Sequence, residues 1–210
     1  MPVESIITLA IASVLLGISP GPDNLFVLTQ SALYGKKSGV LVTLGLCTGL
    51  IVHTSAVAFG VAAIFQTSLV AFTVLKVIGA LYLLYLAWHA FRASVNRFQT
   101  PQSTLRSSGA LYRCGIIMSV TNPKLSVFFL AFLPQFASPE YGALAPQIFV
   151  LGAVFMGVSL LVFCAIAVLA GELGGWLHNS ARAQVYLNRI TGVVFVGLAL
   201  KLVTASAQAE

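Results

Sequence analysis

Six apolar segments, each long enough to cross a lipid bilayer, constrain the fold of this 210-residue chain more than any other feature. A bilayer core of about 30 Å needs roughly 20 apolar residues in one helix. The segments that qualify are 5–33, 39–65, 69–91, 113–136, 147–171 and 185–204. Only 8% of the residues are charged and 59% are hydrophobic, whereas soluble domains are about 25% charged. The sequence therefore predicts an all-α integral membrane protein and excludes a soluble enzyme, a nucleic-acid-binding protein and a disordered chain.

The distribution of basic residues indicates how the six segments are oriented. Alternate connections between the segments contain them: Lys36 and Lys37, then Arg92, Arg97 and Arg106, then Arg182. Because Lys and Arg concentrate in cytoplasmic connections, these connections are expected in the cytoplasm and both termini outside. The N-terminal region contains Glu4 and no Lys or Arg, so it is not expected to be a cleaved signal peptide.

The polar stretch 92–112 separates three segments from three. An odd number of spans in each half reverses the topology, so 1–91 and 113–210 are predicted to form inverted repeats in one transmembrane domain, joined by 92–112 as a cytoplasmic linker. Prolines interrupt the first and fourth segments, at Pro20, Gly21 and Pro22 and at Pro123. A proline removes a helical donor and clashes with the preceding turn, so helices 1 and 4 are predicted to be broken there. Prolines are also common in membrane helices, which leaves a local explanation open.

Asp23 and Lys124 directly follow these prolines. At 1.5 Å per helical residue, Asp23 lies about 20 Å from Lys36 and Lys124 about 16 Å from Arg113, so both are expected near the middle of the membrane. A charge at that depth costs at least about 2.5–3.5 kcal/mol and by default marks a functional site. The structural alternative is a buried ion pair that only holds the two halves together.

The residues around the breaks suit a zwitterionic ligand. Asp23 would bind an ammonium group or a coupling proton, and Lys124, with the amides of the half-helix that it opens, would bind a carboxylate. Asn24 and Asn122 would complete the hydrogen bonds. His53, midway along the second segment, is predicted either as a proton relay or as a histidine hydrogen-bonded to a neighbouring helix.

No cofactor, metal or nucleotide site is predicted. Cys47, Cys114 and Cys164 are far apart and are expected to be reduced, and no His or Cys spacing fits a zinc site. The phosphate-binding motif G-x-x-x-x-G-K-[ST] does not occur, so transport would use an ion gradient or the substrate alone. Ser19 lies in a G-x-S-x-G pattern that lacks the strand–turn–helix context of a nucleophile. An intramembrane hydrolase using Ser19 and His53 is therefore a weaker alternative, and no catalytic residue is assigned.

These motifs resemble those of the lysine-exporter/threonine–homoserine efflux (LysE/RhtB) superfamily. The resemblance lies in Pro20-Gly21-Pro22-Asp23, Asn122-Pro123-Lys124, Phe132-Leu133-Pro134-Gln135-Phe136, the segment 76–88 and Asn188-Arg189-Ile190-Thr191-Gly192. It covers essentially the whole chain and implies a bacterial inner-membrane exporter of amino acids or their derivatives, coupled to the proton gradient. It supports Asp23 and Lys124 as the central residues, but it neither includes His53 nor selects a substrate.

The leading hypothesis is a secondary transporter that exports amino acids or related small zwitterions by proton antiport. Its expected partners are the substrate, protons and the lipid bilayer, and a homodimer is the open alternative to a monomer. The alternatives are an exporter of another small metabolite or of a cation, and a membrane scaffold that transports nothing. A multivalent metal is poorly supported, because one core acid supplies too few ligands.

Overall fold

The computed structural model describes residues 1–67, 69–93, 107–170 and 180–204. These residues are helical almost throughout, and no strand occurs among them. The α-helices in these ranges are α1 (Val3–Ile18), α2 (Pro22–Tyr34), α3 (Lys36–Thr67), α4 (Leu69–Arg92), α5 (Ser108–Thr121), α6 (Pro123–Val127), α7 (Leu144–Val168) and α8 (Ala181–Thr204).

The helices are long and apolar enough for several membrane crossings. Within the described ranges, α3, α4, α7 and α8 can each cross alone. Two further spans result if each bent pair is one span: α1 with α2, bent by 60°, and α5 with the segment 123–136, bent by 49°. This arrangement is a multi-pass helical membrane protein, as the apolar segments predict.

The start of α5 differs from the prediction by about one turn. The helix begins at Ser108 rather than at 113, because the Ser107 hydroxyl accepts a hydrogen bond from the Ala110 amide at 3.3 Å and caps it. Residues 108–112, the end of the predicted linker, are therefore helical. The remaining linker positions 94–106 lie outside the described residues, as does position 171 at the end of the fifth predicted segment.

Helices from the two parts of the chain interleave. Helix α1 packs against α7, α2 lies on α3 and α7, α3 also contacts α5 and α7, and α4 packs along α8. The closest approach joins α3 to α5. A Cβ atom on Gly45 would overlap the Tyr112 carbonyl oxygen and would lie 3.0 Å from the Gly115 Cα. Small residues on both helices therefore permit a contact between backbones.

An aromatic cluster fills the interior beside the second bend. Phe128, Phe129 and Phe132 are fully buried, and the Phe155 ring of α7 lies 5.1 Å from that of Phe128. The backbone from Phe128 to Phe132 is π-helical and continues as a 3-10 turn, Leu133–Phe136, which contains a proline. Because proline cannot donate to a helical ladder, the change of pitch accommodates it. This rigid packing fixes the segment that follows the second bend.

Candidate functional site

Residues that precede prolines form both bends. The proline ring clashes with a preceding residue in the α conformation and favours extended backbone there. Ser19, Gly21 and Asn122 each precede a proline, and their ψ angles are 119°, 175° and 110°. Helices α2 and α6 both begin on the proline that follows, where the missing N–H breaks no helical bond. Short non-helical links thus separate α1 from α2 and α5 from α6.

Asp23 and Asn122 connect the two bends. Asp23 lies in the first turn of α2 and is only 3% exposed. The Asn122 Nδ2 donates a hydrogen bond to the Asp23 Oδ2 at 2.7 Å, and the Asn122 Oδ1 accepts one from the Lys124 amide at 2.9 Å. One amide side chain therefore caps α6 and binds a carboxylate from the other half of the chain.

Lys124 binds the end of α1 rather than the carboxylate of Asp23. Its buried ammonium donates to the carbonyl oxygens of Leu16 and Ser19, each at 3.2 Å. These carbonyls lack helical partners because α1 stops here, and the negative end of the helix dipole attracts a cation. The described residues contain no direct ion pair between Asp23 and Lys124, and the carboxylate bonds to the Asn122 amide instead. The two bends are therefore joined through Asn122 and these carbonyls.

Three buried oxygen atoms at the first bend have no hydrogen-bond partner. They are the Asp23 Oδ1, the Asn24 Oδ1 and the Ser19 Oγ. The Asn24 Nδ2 does have one, since it donates to the Gly17 carbonyl. Buried polar atoms are nearly always satisfied in folded proteins, so these three oxygens each call for a partner, which is a water molecule or a ligand. Carboxylate, amide and hydroxyl oxygens suit an ammonium group, a proton or a cation.

Gly21 keeps space open between the two bends. Its φ of −168° is ordinary extended backbone, so its role is steric rather than conformational. A Cβ atom there would lie 3.2 Å from the Lys124 Nζ and 3.9 Å from the Asn24 Oδ1. The missing side chain therefore leaves room beside both the ammonium and the unpaired amide oxygen.

His53 supports the last turn of α5. Its Nε2 lies 2.9 Å from the Ser119 carbonyl oxygen, and its ring centroid lies 5.6 Å from that of Phe129. A carbonyl accepts only, so Nε2 carries the hydrogen. This geometry matches the predicted histidine bonded to a neighbouring helix, whereas the relay role stays a prediction. In the described part of the chain the Ser19 hydroxyl has no bond to His53, which a serine hydrolase would need.

Two parts of this site are not apparent from the sequence: the backbone carbonyls that bind Lys124, and Ser119. The carbonyls of Leu16 and Ser19 that bind Lys124 are backbone atoms, which have no side-chain signature. Ser119 lies so close to α3 that a Cβ atom on Gly49 would be 2.5 Å from its Cβ, and its hydroxyl is unpaired. The available signal was small residues four apart, Gly115 and Ser119, facing the Gly-x-x-x-Gly of α3.

The described residues offer no metal centre. They contain no group of three His, Cys, Asp or Glu side chains placed to hold a metal ion. No disulfide joins Cys47, Cys114 or Cys164 in the described residues. The polar groups that the described residues bring together at the two bends are a carboxylate, an ammonium and amide side chains.

Fold and site together define a class of protein: a multi-pass helical membrane protein with a buried polar centre between two bent spans. The LysE type translocator family matches residues 14–206. The chain belongs to this family, and the resemblance drawn from its motifs is confirmed.

Two relatives that are named efflux proteins and one uncharacterized membrane protein illustrate this membership. The homoserine/homoserine lactone efflux protein of Salmonella typhimurium (strain LT2) is 33% identical over 195 residues, which cover 93% of this chain and 94% of the relative. The protein of the same name in Salmonella typhi is 32% identical with the same coverage. An uncharacterized membrane protein of Vibrio cholerae is 31% identical over 197 residues, covering 94% of this chain and 95% of the relative. No solved structure matches the chain significantly.

Proposed function

We propose that this protein exports amino acids or related small zwitterions across the bacterial inner membrane, and that the two bends form its binding site. The observation that carries the proposal is the buried Asp23 carboxylate, which keeps one unpaired oxygen where two bent spans meet. Intramembrane charges are costly and by default functional. Membership of a translocator family and similarity to homoserine efflux proteins support the same function.

The site accounts for both charges of a zwitterion. The substrate ammonium binds the free oxygens of Asp23 and Asn24, and the substrate carboxylate takes the Lys124 ammonium from the carbonyls of Leu16 and Ser19. Because those carbonyls end α1, binding releases α1 from the second bend. A change in substrate occupancy then becomes a change in the contact between the two bends, as alternating access requires.

Proton antiport follows if a proton and the substrate ammonium compete for Asp23. Only one of them neutralises the carboxylate at a time, so the inward proton flux drives outward substrate flux. His53 is the candidate for a relay between the carboxylate and bulk water, since it is a buried titratable side chain on α3 that bonds to the Ser119 carbonyl, three residues before Asn122. Ser19, whose hydroxyl is also unpaired, adds a further acceptor to the ammonium subsite.

The proposed architecture is a 3+3 inverted repeat, 1–91 and 113–210, with both termini outside and the breaks set by Pro20, Pro22 and Pro123. The bends of 60° and 49° at equivalent spans and the extended residue before each proline support it. A cation exporter is the second candidate, since the same unpaired oxygens suit a monovalent cation. A homodimer stays a prediction.

Efflux of labelled homoserine from proteoliposomes, with and without a proton gradient, tests this function. Asp23→Asn keeps the size of the side chain and removes its charge, and we expect efflux to fall at least tenfold. Glu4→Gln makes the same change at an exposed acid and should leave efflux unchanged. Efflux by Asp23→Asn at the rate of the unaltered protein, with both variants equally well folded, would remove Asp23 from the mechanism.

A further inference from the structure

An apolar cavity lies directly beside the first bend. Its volume is about 340 Å³, within the range of small-molecule pockets. Apolar side chains from four helices line it, among them Ile18 of α1, Leu25 and Leu28 of α2, Val162 and Ile166 of α7, and Leu187 of α8. Asn24 is the one polar side chain among its lining residues, and no charged residue of the described chain lines it. The cavity therefore suits an uncharged, mostly apolar group.

The cavity extends from the bend toward the end of the bundle that carries the basic connections. Pro20 and Asn24 lie at its inner end, in the link between α1 and α2. Leu169, directly after α7, and Leu187, in the second turn of α8, lie toward the end where the chain reaches Arg182. If the basic connections are cytoplasmic, a solute leaving the cytoplasm reaches the bend through this cavity.

Asn24 joins the cavity to the polar centre. Its amide nitrogen binds the Gly17 carbonyl, while its buried Oδ1 is unpaired and the residue is only 8% exposed. That oxygen lies 3.9 Å from the position of a Cβ atom on Gly21, which is itself 3.2 Å from the Lys124 Nζ. The space beside Gly21 therefore lies between the cavity and the Lys124 ammonium. A ligand can place its polar groups at the bend and its remaining atoms in the cavity.

We infer that this cavity receives the side chain of the exported solute, and that the solute is an amino acid or derivative with an uncharged, largely apolar side chain. The inference rests on the proposed function and adds the substrate class. A basic side chain would bury its ammonium among apolar groups with no acid to pair with it. Each methylene placed in the cavity should strengthen binding about fourfold, because burial of apolar surface is favourable.

Counterflow in proteoliposomes with the full-length protein tests the substrate class. The solutes are alanine, 2-aminobutyrate, norvaline, norleucine and lysine, which share one zwitterionic head. Norleucine and lysine both have four side-chain carbons and differ in the terminal ammonium. We expect the apparent affinity to rise along the aliphatic series, and the affinity for norleucine to exceed that for lysine at least tenfold.

Variants in α7 separate a side-chain subsite from a general defect. Ile166→Trp fills the cavity and should weaken the binding of norleucine much more than the binding of alanine. Leu161→Trp makes the same change at a side chain that is 73% exposed and should leave the series unchanged. Ile166→Asp places an acid in the cavity and should raise the apparent affinity for lysine, relative to that for norleucine, by at least tenfold. A folding defect would not produce this change.

The possible failures point to different conclusions. Equal counterflow of norleucine and lysine overturns the cavity assignment and leaves amino-acid export intact. An unchanged aliphatic series in Ile166→Trp also overturns it, with a lipid chain as the occupant of the cavity. Counterflow of homoserine with none of these five amino acids overturns only the cavity assignment, whereas no counterflow of homoserine or of any of the five overturns the proposed function itself.

Discussion

The amide of Asn122 makes two contacts whose contributions can be separated by substitution. As the cap of α6 it accepts the Lys124 amide hydrogen at 2.9 Å, a contact worth about 1 kcal/mol. As the bridge it donates to the Asp23 carboxylate at 2.7 Å, and a hydrogen bond to a charged group contributes about 1.5–3 kcal/mol. Asn122→Ala loses both contacts and should lower the free energy of unfolding by about 3 kcal/mol.

Asn122→Ser separates the two contributions. Serine is an equally good cap, but its hydroxyl is too short to reach Asp23, so this variant should lose only the bridge, about 2 kcal/mol. Ser107→Ala is the matched control, because Ser107 caps α5 by a 3.3 Å bond at an exposed position far from the bends in sequence. It should lose about 1 kcal/mol or less and keep full efflux.

The measurement is reversible unfolding in mixed micelles, with homoserine efflux recorded on the same preparations. We expect efflux to fall in both Asn122 variants, since Asp23 loses the donor that orients it. If Asn122→Ala costs no more stability than Ser107→Ala, the bridge contributes nothing, and the reasoning that the two halves are joined there is refuted. Equal losses for Asn122→Ala and Asn122→Ser would show that the cap contributes nothing.

Two further predictions concern packing and orientation. Gly45→Ala forces α3 away from the Tyr112 carbonyl and should destabilise the protein by about 1–3 kcal/mol. Gly60→Ala is the control on the same helix, and it should stabilise the protein by about 0.5–1 kcal/mol because nothing lies within 4 Å of its Cβ position. The opposite order in the unfolding assay would contradict the close α3–α5 contact. A reporter that is active only in the cytoplasm, fused after residue 210, should give no signal, and an active fusion would reverse the predicted orientation.

The sequence predicts the spans well because the bilayer imposes a length on apolar helices. The second predicted segment, 39–65, lies within α3 (Lys36–Thr67), and the third, 69–91, matches α4 (Leu69–Arg92). The fourth apolar segment begins at 113, whereas α5 begins at Ser108, because the capping serine Ser107 adds about one turn of helix to residues of polar composition. Local capping therefore decides boundaries that average hydrophobicity does not.

The candidate site residues stand out in the sequence for a different reason. Prolines and charges are rare enough in apolar segments that Asp23 and Lys124 stand out, and the structure brings their surroundings together through Asn122. Their pairing was not predictable. Which acceptor Lys124 chooses depends on where the free carbonyls of Leu16 and Ser19 point, and every residue has a carbonyl.

The two bends are chemically complementary rather than alike, and this difference bears on how such a site works. The first bend supplies unpaired acceptors, on Ser19, Asp23 and Asn24. The second bend supplies donors, the Lys124 ammonium and the Asn122 amide. Two identical halves would place an acid against an acid or a base against a base, and each would repel its counterpart. A zwitterion between complementary bends has one favoured direction, with its ammonium toward the first half and its carboxylate toward the second. Exchanging the charges, Asp23→Lys with Lys124→Asp, would therefore place each charge on the wrong helix end, the ammonium at the start of α2 and the carboxylate against the carbonyls that end α1.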